Sequence, residues 1–231
     1  MAVDVLNQRE ACARSYRAAT APSSVATASR GSGAPGAGVV SAGAGAPMVL
    51  MVATIEARKN HIAVLEACQR LWEQGLEFKL NLAGRLSRDT GKNVLDRISR
   101  LRKANWPVRW LGHITDAELR WQFSACRFTL HPSLYEGFGL PVLESLSHGK
   151  PCIVSDRGAL SETAGGGGCY LVSEPAADVI ADAMRELLGN QALYERLVAQ
   201  CSEREFKAWD QYCDEVTIWQ RSLKKRAVDR R

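Results

Sequence analysis

Residues 127–156 read RFTLHPSLYEGFGLPVLESLSHGKPCIVSD. The run at 127–133 reads as a strand that stops at His131-Pro132. Gly137 and Gly139 then allow backbone geometries closed to other residues, and Pro141 suits the first turn of a helix predicted over 140–148. PCIVSD (151–156) starts a second strand. A strand, a tight bend, a short helix and a strand make one crossover unit, and the same rhythm extends to either side.

Upstream, MVLMVAT (48–54), FKLNLAG (78–84) and PVRWLG (107–112) read as short buried strands. Helices are predicted between them over 60–72, where Ile62, Leu65, Cys68, Leu71 and Trp72 recur at helical spacing, over 92–104 and over 116–123. Downstream come a strand at 169–173 and helices at 176–188 and 192–206. Strands alternating with helices of about ten residues imply an α/β, doubly wound, mostly parallel Rossmann-like sheet with helices on both faces. Ligands of such sheets bind beyond the carboxyl ends of the strands, so the chemistry is expected in the loops that follow them.

Residues 1–47 differ in character. From 18 to 47 the chain is almost entirely Ala, Gly, Ser, Thr, Pro and Val, which cannot bury enough apolar surface to offset its ordering entropy. It reads as a flexible linker, preceded by a short helix at 4–17 that is a remnant of something larger or a local element. At the other end, residues 210–226 form a helix with Trp209, Tyr212, Cys213, Val216, Trp219 and Leu223 in one stripe. That stripe either packs on its own domain or docks onto a second one.

With 231 residues and 46% hydrophobic side chains, one full core is expected at 48–208. The formal charge of +5 reads as a mild excess spread along the chain, which disfavours nucleic acid as a partner. Seven cysteines without a C-x-x-C pair suit reduced thiols in a cytoplasmic protein. No secretory leader and no membrane-spanning run is read. The basic end, Lys224, Lys225, Arg226, Arg230 and Arg231, is either a solvated tail or a contact with the inner face of a membrane.

Glu136 lies in the loop past a strand end and Glu144 one turn into the next helix, so both carboxylates are expected to face one cleft. Backbone amides of Gly137, Phe138, Gly139 and Leu140 at a positive helix terminus favour anionic oxygens, whereas carboxylates favour paired hydroxyls. A sugar nucleotide offers both. No D-x-D triplet occurs, so a metal bridging carboxylates and a diphosphate is not expected, and no cofactor is read.

The motif E-G-F-G-L-P-V-L-E, followed by G-K-P-C-I-V-S-D and L-S-E-T-A-G, resembles the nucleotide-sugar half of the retaining glycosyltransferases of family 4, which have the two-domain GT-B fold. T-I-E-A-R-K-N (54–60) is similar to that family's first-strand loop, and the resemblance runs from about residue 48 to 210. It implies that Arg58 and Lys59 grip the donor diphosphate and that Glu136 stands near the donor sugar. It further implies that Glu144 accepts bonds from the ribose hydroxyls, that the loop from Gly112 and His113 onward reads the base, and that Glu162 lies near the cleft. Relatives often carry an arginine near position 53 or 54; here Ala53 and Thr54 stand there, which shifts load to Arg58.

The resemblance also implies a GDP-, UDP- or ADP-linked hexose as donor, a glycan or lipid-linked acceptor, and an N-terminal acceptor domain or partner chain. The T-I-E-A-R-K-N loop leans toward enzymes of surface polysaccharide synthesis that use GDP-mannose. A nucleotide-sugar-binding module without turnover of its own is the second reading.

Overall fold

A computed structural model describes residues 45–87, 91–206 and 209–228. The expected helix at 4–17 and nearly all of the linker at 18–47 lie outside these residues. Within them the apolar runs become strands β1 (Met48–Val52), β2 (Lys79–Ala83), β3 (Val108–Gly112), β4 (Cys126–His131), β5 (Cys152–Ser155) and β6 (Cys169–Val172). Neighbouring strands pair in parallel throughout, in the order β3-β2-β1-β4-β5-β6. The fold is the doubly wound α/β sheet that the alternation implies.

The helices are α1 (His61–Glu73), α2 (Lys92–Lys103), α3 (Asp116–Ala125), α4 (Leu140–Ser147), α5 (Ala159–Ala164), α6 (Ala177–Gly189), α7 (Gln191–Glu203) and α8 (Trp209–Val228). Side chains alternate across a strand, so β1 serves two cores. Val49 and Met51 join a cluster with residues of α1, α2 and α6, whereas Met48 and Leu50 meet Phe123 of α3 on the other face. Trp72 anchors the larger cluster. It stacks between Phe78 and Trp106 at centroid distances of 5.1 and 5.7 Å, and its indole donates to the Phe78 carbonyl.

Helix α5, between β5 and β6, was not among the expected elements. Six residues flanked by Gly158 and Gly165 are too few to show an apolar period, so only packing reveals them. The sheet and helices α1 to α7 belong to one unit that ends at Arg204, and α8 belongs to another. Taken by itself, α8 exposes Tyr212, Ile218 and Trp219, and it starts one residue before and ends two residues after the expected 210–226. The side chains of Trp209 and of the basic end lie outside the described residues.

Candidate active site

The chain runs outward from β1 to β2 and β3, then returns to lay β4 against the other side of β1. Loops after β1 and β4 therefore leave the sheet at the point where the strand order reverses, the position at which ligands of doubly wound sheets bind. Arg58 and Lys59 come from the first loop, in a 3-10 turn at Ala57–Lys59, and Glu136 comes from the second. The loops are laced together. The Leu134 amide donates to the Arg58 carbonyl at 2.8 Å. Asn60, left-handed at φ 63°, donates from its side chain to the carbonyls of Pro132 and Pro175, at 3.2 and 2.6 Å.

Glu136 is the hub. One carboxylate oxygen accepts from Lys59 and, at 3.0 Å, from Ser133, with His131 at 3.2 Å; the other accepts from Arg58 at 2.9 Å. Burial raises the cost of its charge, but the bonds from His131, Lys59 and Ser133 outweigh that and hold the carboxyl well below the usual range. Lys59 is only 7% exposed, and Arg58 also pairs with Glu56 at 2.7 Å. His131, which a strand end alone would leave as an ordinary structural residue, is thus a member of the site. Next to it, His61 is 2% exposed, and burial pushes its imidazole down to about 4.

Glycine decides the shape of the bend. Gly139 caps α4 with φ 86°, and a Cβ there would lie 2.6 Å from Leu160. Thr163 donates to the Phe138 carbonyl at 2.6 Å, so helix α5 clamps the bend from beneath. This gives L-S-E-T-A-G a role through Leu160 and Thr163. Glu162 itself is exposed on α5 and makes no hydrogen bond or ion pair with the other site residues. Phe138 and Leu140 stand 60% and 64% exposed, and Arg58 lies 5.9 Å from the ring of exposed Tyr135.

Glu144 and Glu136 meet different partners. Glu144, half-buried on α4, has its carboxyl raised by burial and then by Asp116, the first residue of α3. Among the described residues no hydrogen bond or ion pair joins the Glu144 carboxylate to Arg58, Lys59 or Glu136, and the charge it feels most is that of Asp116, which follows the loop from Gly112 to Thr115. Gly112 turns at φ 70° and its carbonyl accepts from Gly84; His113 is exposed, 3.5 Å from Arg85. The motif's two carboxylates thus have different surroundings, Glu136 among cations and Glu144 half-buried and facing the like charge of Asp116. Among the described residues no cluster of three or more His, Cys, Asp or Glu could hold a metal ion.

Arg58 and Lys59 beside Glu136, with a glycine-capped helix start, thus lie where the strand order of an α/β sheet reverses, the place at which such sheets bind ligands. The profile of the glycosyl transferases group 1 family matches residues 40–204, and the chain belongs to that family. A serotype-specific mannosyltransferase, WbdA of Escherichia coli, is 33% identical over 177 residues, 75% of this chain and 21% of that protein. The O-antigen chain mannosyltransferase B of E. coli is 38% identical over 128 residues, 54% of this chain and 32% of its own length. Sucrose-phosphate synthase from Thermosynechococcus elongatus superimposes with a TM-score of 0.65 at 25% identity, covering 79% of this chain and 47% of that one. The chain spans between about a fifth and a third of the length of these two mannosyltransferases. Its sheet is one Rossmann-like half of the GT-B architecture.

Proposed function

We propose that this chain is the donor-binding half of a retaining glycosyltransferase of family 4. In this reading it moves a hexose, mannose by the kinship of its relatives, from a nucleotide diphosphate sugar to a glycan or lipid-linked acceptor in surface polysaccharide synthesis in the cytoplasm. One observation carries it: Arg58 and Lys59 converge with Glu136 at the switch point of the sheet, from loops that 77 or more residues separate.

In the resting site Glu136 and Glu56 neutralise the two cations. A donor diphosphate replaces part of that pairing with its own oxygens: Lys59 supplies a point charge, Arg58 a planar fork, and the amides of residues 137–140 add neutral donors. As the sugar–phosphate bond breaks, negative charge grows on the leaving phosphate, and these groups stabilise it more than they stabilise the ground state. Glu136, kept ionised, sits on the sugar side and orients hydroxyls. Glu144 takes the ribose hydroxyls, next to the Gly112 and His113 loop that reads the base. No divalent ion is needed in this scheme, because side-chain cations and a helix terminus take its place.

Calorimetry with GDP-, UDP- and ADP-sugars tests the reading. Saturable binding of one donor that weakens at least about tenfold in Lys59→Ala and in Glu144→Ala supports it, since each removes a charge-assisted contact. Binding unchanged in both variants overturns the assignment. Donor binding without transfer to any acceptor is the result the binding-module reading expects.

A further inference from the structure

Charge is segregated in this chain, contrary to the even spread that the total suggests. Residues 92–109 hold six cations (Lys92, Arg97, Arg100, Arg102, Lys103 and Arg109) against one acid, Asp96. Residues 220–231 likewise hold six against one, so everything else is net acidic by five. The first of these segments is fully described: it is α2 with the start of β3, at the outer edge of the sheet. Lys92, Arg100, Arg102, Lys103 and Arg109 are exposed there, while Arg97 turns to Gln69 at 2.6 Å.

An open groove of about 440 Å³ lies between α2 and β3. Leu95, Ile98 and Trp110 form its floor, and Ser99, Arg102 and Lys103 its rim. Trp110 is fixed in place by donating to the Gly84 carbonyl at 3.0 Å. The apolar side of α2, Val94, Ile98 and Leu101, is already committed to the core, so the helix has no wide apolar face to insert anywhere. What remains is a small apolar floor beneath a cationic rim, a shape that fits an anionic head carrying a few methylenes.

We propose that the α2–β3 edge docks onto an anionic bilayer surface, with an acidic phospholipid headgroup in this groove. Lys and Arg stems lie along apolar surface while their heads reach phosphates, and each such cation favours an anionic bilayer by about fivefold in partitioning. Half-exposed tryptophans suit the headgroup level. Single-stranded nucleic acid fits less well, because Trp106 already stacks on Trp72 and Trp110 alone among the groove's lining residues offers an aromatic ring.

The carboxyl end of α2 leads into the amino end of β3, so the rim of Arg102 and Lys103 lies at the end of the strands opposite the donor site. Membrane contact and donor binding are separable for that reason.

Co-sedimentation of the full chain with vesicles tests this. The chain pellets with equal parts phosphatidylglycerol and phosphatidylcholine, not with phosphatidylcholine alone, and raised salt releases it. Arg102→Gln with Lys103→Gln, both exposed and harmless to folding by thermal melt, lowers partitioning by about 25-fold, the product of two cations. Arg196→Glu, the same charge change on exposed α7, alters it by less than about twofold because it lies away from the contact. The proposal is overturned if the double variant pellets like the parent, which would move the contact to the C-terminal cations. An equal loss in Arg196→Glu, or binding to DNA but not to vesicles, overturns it as well.

Discussion

Removing Lys59 is the perturbation whose cost the structure fixes best. Lys59 is 7% exposed, and the Glu136 side chain it meets is 8% exposed. Deleting one partner of a buried pair costs about 3–5 kcal/mol, because the other charge stays buried with less compensation. Arg58 at 2.9 Å and Ser133 at 3.0 Å still serve Glu136, which sets Lys59→Met at the low end, about 3 kcal/mol. Glu136→Gln strands Lys59 and costs about the same. In the double variant neither member of the pair remains to be stranded, so the total stays near 3 kcal/mol rather than doubling, a coupling of about 3 kcal/mol. Urea denaturation of the four proteins measures this, with melting temperatures lower by about 6–12 °C in each single variant. If the two single effects add to within about 0.5 kcal/mol, the pair is not coupled and the hub around Glu136 is refuted.

Three other outcomes are expected. Stability should fall by about 3 kcal/mol between pH 6.5 and 4, because the unfolded imidazole of His61 binds a proton that the buried one, lowered to about 4, refuses; His61→Leu should flatten that slope in urea melts across pH. Glu136 acts in the lower window, since a depressed carboxyl contributes stability above the ordinary carboxylate range and loses it only as pH falls through its own folded value. Gly139→Ala should cost about 2 kcal/mol, through a left-handed backbone and a Cβ 2.6 Å from Leu160, whereas Gly137→Ala, with nothing within 4 Å, should be nearly neutral in the same melts. Donor binding by calorimetry should be unchanged by EDTA; a loss restored by Mg²⁺ would contradict the metal-free scheme.

Much of the fold was legible because each strand is a short apolar run and most helices between strands are long enough to show their period. Parallel pairing followed from that alternation, whereas the strand order, and with it the switch point at β1 and β4, emerges only in the folded sheet. Helix α5 was not legible, being six residues between glycines, and so neither was its grip on Phe138 through Thr163. The spacing of Glu136 and Glu144 marked both as site candidates but could not show what each meets. Glu136 finds Lys59 and Arg58 across 77 and 78 residues, and Glu144 finds Asp116 on a different helix. Such encounters, ion pairs in the first case and a like-charge repulsion in the second, depend on strand order, which no local window of sequence encodes. The cationic edge of α2 is a related case: a whole-chain total conceals two basic segments on an otherwise acidic protein.

A crystal structure of the chain with GDP bound tests the central claim most directly. The account predicts the diphosphate against the side chains of Arg58 and Lys59 and the amides of residues 137–140, with the ribose hydroxyls at Glu144. A nucleotide lying away from the β1 and β4 loops, with Lys59 still fully engaged by Glu136 and no phosphate near it, would contradict it.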